Sequence, residues 1–346
     1  MFCGKASQRG INSSGNSLNS LVYGLLFYFI GWNAMHAQWA VVFPGQGSQA
    51  VGMLGDSAER YPVIRETFAE ASAIFGADLW ALAQEGPAEA LNRTEITQPI
   101  MLVAGVAVWR VLQAHIPQPP QWLAGHSLGE YTALVAAQAL SFAEAIPLVQ
   151  ERAAAMQTAV PEGVGAMAAI LALDDEAIAR ICAEQAEGDV LEPVNYNAPG
   201  QVVIAGTAAA VERGIAAARA AGARKAVRLP MSVPSHCALL RPAAERLGQA
   251  LQAVTWSMPA IPVLHNVIAQ PAADLMDLQR LLAEQIYRPV RWVETVRAMH
   301  DAGVTRVVEC GPGRVLTGLN KRIQRDLESL DTGDLAALEK TLQQCC

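Results

Sequence analysis

The segment Gly125-His126-Ser127-Leu128-Gly129 constrains this chain more than any other. Glycine on both sides of a serine lets the backbone turn where a larger residue would block it. Trp122-Leu123-Ala124 before it reads as a short buried strand, and Leu128 to Leu140 is Ala/Leu-rich with no proline. Strand, sharp turn and helix therefore follow one another, the context in which a Gly-x-Ser-x-Gly elbow presents a nucleophile. The first turn of such a helix carries unpaired N–H groups and partial positive charge, which suit a developing oxyanion. A serine in this pattern also serves as a plain helix N-cap after a glycine turn. A base and binding groups elsewhere in the chain must decide between the two.

With 346 residues, 52% hydrophobic and 16% charged, the chain can bury one large core and a second, smaller one. The net charge of −7 offers no basic surplus for nucleic acid. The clusters Arg224-Lys225 with Arg228 and Lys321-Arg322 with Arg325 read as solvated faces that also suit an acidic partner. Six cysteines with no C-x-x-C spacing and no His cluster point to a reducing, cytoplasmic setting and to no metal. Residues 1–55 contain no acid, and Leu21 to Trp32 is a nearly unbroken apolar run of 12 residues, too short to span a bilayer as a helix. A signal or transit peptide fits part of this pattern, but Met35-His36-Ala37 is a poor cleavage site. The expectation is an N-terminal extension over 1–37 outside the fold, with synthesis starting at Met35 and no membrane span.

Trp39 to Pro44 is an apolar strand ending in Gly45-Gln46-Gly47-Ser48-Gln49, followed by a helical pattern from Tyr61 to Phe75. Gln98 to His115 is a second helix, apolar on most sides, and the elbow helix and one from Ser141 towards Val160 come next. This alternation predicts a parallel sheet with helices on both faces. From Gly165 to Leu229 the order becomes βαββαβ, with a hairpin turning at Asn197-Ala198-Pro199-Gly200, the ferredoxin-like arrangement. The main sheet resumes with Ile261 to His265 and Thr305 to Glu309. The predicted architecture is a large α/β domain over 38–162 and 231–330, an insertion over 163–230, and a C-terminal tail over 331–346.

A serine hydroxyl needs a base to take its proton. Of six histidines, His236 in Ser232-Val233-Pro234-Ser235-His236 lies where the insertion returns to the main domain, and a domain seam is where a cleft forms. His126 neighbours the serine but is expected to point away from it. A backbone carbonyl or an amide would orient the imidazole, Asn266 being one candidate. The Leu128 N–H and a second donor from the Gln46 turn would meet the oxyanion. Arg152, with Met156 one turn on, lies on the helix behind the elbow among Val149, Ala153 and Ala154. A guanidinium facing a cleft there would grip a carboxylate bidentately and select an acyl group that carries one. Pro147 inside the same helix predicts a kink.

Gly45-x-Gly47-x-x-Ala50 also fits a dinucleotide fingerprint, but Glu66 and Glu70 fall inside a helical pattern rather than at the end of a second strand. The chain instead resembles the malonyl-CoA:acyl carrier protein transacylases of fatty-acid synthesis from about Trp39 to Ile323. The matching motifs, in the family's order, are Pro44 to Gln49, Gly125 to Glu130, Arg152, Asn195-x-Asn197-x-Pro199-Gly200-Gln201, Ser232 to His236, Asn266, Gln285 and Gly311-Pro312-Gly313. The resemblance implies an α/β-hydrolase-like large domain with a parallel central sheet and an inserted ferredoxin-like small domain. It also implies an acylated Ser127, His236 as base, Arg152 on the malonyl carboxylate and Gln285 shaping the pocket, with Gln46 and Leu128 as oxyanion donors and His126 and Met156 lining the substrate. Malonyl-CoA and acyl carrier protein would be the partners, with no cofactor, and a monomer is expected. His265 and Arg288 depart from the family pattern, in which Asn is frequent at both places. A serine thioesterase or esterase of similar fold, and a non-catalytic carrier-binding module, are the competing readings.

Overall fold

The computed structural model describes Met1, residues 38–231 and residues 233–345. The N-terminal extension expected over 1–37 lies, apart from Met1, outside the described residues. The central sheet has five parallel strands in the order β7-β2-β1-β8-β9, namely Val263–Leu264, Trp122–Gly125, Trp39–Phe43, Arg306–Glu309 and Glu328–Asp331. Every residue of β1 is buried, as expected for a central strand covered on both faces. One face packs Ala40, Val42, Ala124 and Val307 against Trp292, Val296 and Leu316 of the helices Trp292–Asp301 and Val315–Ile323. Towards the other face lie the helices Thr94–His115, Gly129–Ala136 and Phe142–Ala159, where Phe43 meets Trp109 edge to face with ring centres 6.2 Å apart. The helix Thr94–His115 is apolar and long enough to cross a membrane, yet 83% of its apolar window is buried inside the fold.

The elements between Gly165 and Arg228 build a second, antiparallel sheet in the order β4-β5-β3-β6, from Leu191–Ala198, Gln201–Thr207, Gly165–Leu171 and Lys225–Arg228. Its strands alternate in the period of two that a sheet with two different faces requires. Ile170, Val202 and Ile204 pack with Ile178, Val211 and Ile215 of the helices Asp175–Ala186 and Ala208–Ala220. Met167, Val203 and Ala205 face the opposite way and pack with Cys237. The edge strand β4 is tied to the segment before Trp292, because Tyr196 N–H donates to the Val290 carbonyl at 3.0 Å and Val290 N–H to the Val194 carbonyl at 2.9 Å. The described residues from Gln38 onward form one compact unit.

The C-terminus differs from expectation. Residues 331–346 are not a tail: Asp331 ends β9, which pairs in parallel with β8, and the helix Leu335–Cys345 buries Leu338 and Leu342. The four-residue strand Glu-Ser-Leu-Asp is too short and polar to stand out as a strand, and the edge position explains that polarity. The helix that carries Pro147 runs from Phe142 to Ala159. At the sixth position of that helix the proline lacks the N–H that would bond the Ala143 carbonyl, one bond lost from an 18-residue ladder.

Candidate active site

The elbow forms because its glycines leave no room for anything else. A Cβ at Gly125 would sit 1.9 Å from the Gly129 carbonyl, and one at Gly129 would sit 2.0 Å from the Phe43 carbonyl at the end of β1. Between them Ser127 adopts the left-handed backbone, φ 52°. His236 does the same at φ 68°, and for residues other than glycine each such conformation costs about 1–3 kcal/mol. These two strained residues face one another: His236 Nε2 lies 2.9 Å from Ser127 Oγ. Nδ1 of the same ring lies 2.7 Å from the Gln285 backbone carbonyl. A carbonyl only accepts, so Nδ1 carries the proton and the lone pair at Nε2 faces the serine. Burial, followed by the positive charge of Arg152, pushes the His236 pKa down to about 3, so the ring is neutral and able to accept a proton.

Asn266 is not the group that orients His236. Its Oδ1 accepts the Ser127 backbone N–H at 2.7 Å and its Nδ2 donates to the Gly125 carbonyl at 2.6 Å, so it staples the elbow. Of the two alternatives read from the sequence, the backbone carbonyl holds the imidazole.

Arg152 is 1% exposed, and its guanidinium donates to Gln98 Oε1 at 2.5 Å, Gln285 Oε1 at 2.9 Å and Ser127 Oγ at 3.1 Å. All three acceptors are neutral. Among the described residues no carboxylate lies within ion-pair distance of Arg152, and burial lowers its pKa. The serine thus accepts from Arg152 while its own proton points to His236.

A cavity of about 560 Å³ opens over these groups, with Gln46, His126, Ser127, Arg152, Met156 and His236 in its wall. His126 does not turn away as expected; it lines this cavity, held by Asn197 Oδ1 at 2.8 Å from Nε2 and by Trp292 at 5.5 Å between ring centres. Burial lowers its pKa, partly offset by the Asn197 bond. The small sheet supplies Asn197 as well as Met167 and Val203, so the cavity lies at the seam between the two sheets. Met156 sits beside Gln98, its sulfur 3.7 Å from Nε2. Gln285 stands behind the wall and grips Arg152. The Gln46 side chain accepts from Thr94 at 3.0 Å. A Cβ on Gly45 would reach within 3.7 Å of the Leu128 nitrogen, so the bare glycine lets the Gln46 turn lie beside that N–H. Among the described residues neither the Leu128 nor the Gln46 backbone N–H donates a hydrogen bond, leaving both available to an oxyanion.

Sequence reasoning gave no role to Gln98, Glu130 or Asn197, the last two standing only within matched motifs. Two carry a readable signal: Gln98 and Glu130 are long polar residues within largely apolar, buried stretches of helix, and both are at most 1% exposed.

Residues 40–340 match the acyl transferase domain family. The malonyl CoA-acyl carrier protein transacylase of Salmonella typhimurium is 53% identical over 307 residues, 89% of this chain and 99% of its own length. That of Bacillus subtilis is 41% identical over 305 residues, 88% of this chain and 96% of its own. The solved acyl carrier protein S-malonyltransferase of Vibrio cholerae shares the fold at a TM-score of 0.85 and 53% identity, covering 88% of this chain and all (100%) of its own. A malonyl-transacylase solved in complex with a type II PKS acyl-carrier protein reaches 0.88 at 51% identity, covering 89% and 100%. The shared architecture is a mixed α/β fold with a parallel sheet, and this chain belongs to the acyl transferase domain family and, within it, to the malonyl CoA-acyl carrier protein transacylases.

Proposed function

We propose that this protein transfers a malonyl group from malonyl-CoA to the phosphopantetheine thiol of an acyl carrier protein, through an ester on Ser127. One observation carries the reading: a buried guanidinium with only neutral partners stands 3.1 Å from a serine hydroxyl that is itself 2.9 Å from a neutral imidazole. A buried cation with no carboxylate in direct contact favours an acyl group that brings one.

Attack by Ser127 Oγ on the thioester carbonyl sends the hydroxyl proton to His236 Nε2. The N–H groups of Leu128 and Gln46 meet the oxyanion, each such donor typically contributing about 3 kcal/mol. The carbon–sulfur bond then breaks, and His236 returns the proton to the departing CoA thiolate. In the second half the carrier thiol gives its proton to His236 and attacks the ester, and Ser127 leaves with that proton. The malonyl carboxylate pairs with Arg152 throughout and offsets one of the causes that depress the His236 pKa. Substrate binding therefore makes the base stronger when it is needed. His126 and Met156 bound the acyl group, and no step calls on a metal or redox cofactor.

The small sheet's strand order, 2-3-1-4 within its own βαββαβ sequence, supports a ferredoxin-like insertion over 163–230. It interrupts an α/β-hydrolase-like domain that begins at 38. A monomeric, cytoplasmic enzyme that meets neither membrane nor nucleic acid completes the reading.

The test is a transfer assay with malonyl-CoA and holo acyl carrier protein. Malonyl on the carrier thiol, abolished by Ser127→Ala, supports the reading. Release of free malonate at the same rate without carrier protein would assign a thioesterase instead, and transfer unaffected by Ser127→Ala would leave a carrier-binding module.

A further inference from the structure

Behind the reacting side chains lies a second hydrogen-bonded set that does not reach the cavity. Glu130 and His265 are both completely buried, 0% exposed. Oε1 of Glu130 lies 2.7 Å from His265 Nδ1, and Oε2 accepts the Asn266 backbone N–H at 2.9 Å and Gln285 Nε2 at 2.8 Å. Gln285 Nε2 also donates to the Ser127 carbonyl at 3.0 Å. With its nitrogen held by two acceptors, Gln285 has only its oxygen to present to Arg152, 2.9 Å away. Turned over, the amide would set its NH₂ against the guanidinium and its oxygen against the carboxylate. One buried charge thus selects the amide orientation. The backbone carbonyl of the same Gln285 holds His236.

We propose that Glu130, itself held by His265, is a positioning residue for acyl transfer: it locks Gln285, and Gln285 aims Arg152 and His236 at Ser127 together. The proposal rests on the acyl-transfer reading above. His265 supports it from a second side, since its Nε2 is buried with no partner. An apolar side chain would fill the same space without that unsatisfied nitrogen, so what the histidine contributes is the donor at Nδ1.

The test compares Glu130→Gln, His265→Leu and His265→Asn in the full chain by three readouts: kcat and KM for malonyl transfer, the rate at which a fluorophosphonate labels Ser127, and the melting temperature. Glu130→Gln keeps the shape and removes the charge, and kcat is expected to fall about 100-fold, the usual consequence of reacting groups misplaced by an ångström. Labelling of Ser127 slows with it, and His265→Leu follows the same course. His265→Asn, whose amide nitrogen can stand where Nδ1 does, keeps the wild-type rates. Folded Glu130→Gln enzyme that is labelled and turns over like the wild type would overturn the proposal. So would losses that track only the folded fraction, with His265→Asn as damaged as His265→Leu. Labelling needs no malonyl group, so slowed labelling in Glu130→Gln alongside a wild type that transfers no malonyl would uphold the positioning role and sink the transfer reading.

Discussion

Ser127 and His236 both sit in left-handed backbone, yet the fold holds them there by different means. The serine is caught between two glycines that touch backbone on all sides and is stapled by Asn266 to the end of a central strand. The imidazole rides on the connection that leaves the small sheet, and it is fixed by the segment at the end of the helix Leu275–Gln285. There His236 N–H donates to the Ile286 carbonyl at 3.0 Å and Nδ1 to that of Gln285 at 2.7 Å. The nucleophile is positioned by the absence of side-chain atoms, the base by backbone carbonyls. Steric exclusion tolerates no change, whereas hydrogen bonds to carbonyls tolerate many sequences around them.

Gly125→Ala strikes the sterically held side. Its Cβ would sit 1.9 Å from the Gly129 backbone, so a loss of about 3 kcal/mol or more is expected. Denaturant melts read it directly, and an alanine variant of ordinary stability would show that the elbow is looser than described. On the other side, His236→Ala should leave the fold standing and lower kcat/KM by about 10²–10⁴, the usual worth of a general base. A matching collapse in stability would mean that the two sides are not held differently after all.

Arg152→Ala is expected to act on selectivity rather than on the nucleophile. It should cost malonyl transfer about 2–5 kcal/mol while transfer of acetyl, which has no carboxylate, suffers less. Competition between malonyl-CoA and acetyl-CoA measures the ratio, and an unchanged preference would remove Arg152 from the binding role.

The smallest effect is one of pH. A depressed pKa keeps His236 in its neutral, proton-accepting form from alkaline pH down to about 3. The acid limb of kcat/KM should therefore pass pH 6.5 without an inflection, and a clear inflection there would show an ordinary histidine. Stability, unlike the rate, does change with pH in this window. The unfolded chain takes up a proton on this ring below about 6.5 and the fold does not, so His236 withdraws stability as pH falls from there towards 3.

The same contrast explains what the sequence reveals. The elbow is legible because its constraint is local, two glycines flanking one serine after an apolar run. The order of elements around it likewise reads out the small sheet and four strands of the central one, since apolar runs and turn residues mark each of them. Asn266 is misread because the choice between a backbone carbonyl and an amide at His236 depends on where the chain after Gln285 passes, which no local pattern records. Gln98 and Glu130 are hidden for a related reason: a long polar residue in an apolar stretch of helix declares a buried partner but not its identity. The last strand and helix escape notice because an edge strand of four residues shows little apolar periodicity.

The central claim is that Ser127 becomes acylated by a group that Arg152 selects. Intact-protein mass spectrometry after mixing with malonyl-CoA in the absence of carrier protein, followed by peptide mapping, tests it most directly. A single malonyl adduct on the peptide carrying Ser127, discharged on adding holo carrier protein and absent from Ser127→Ala, is the predicted result. An adduct that persists in Ser127→Ala, or equal acylation by acetyl-CoA and malonyl-CoA, would contradict it.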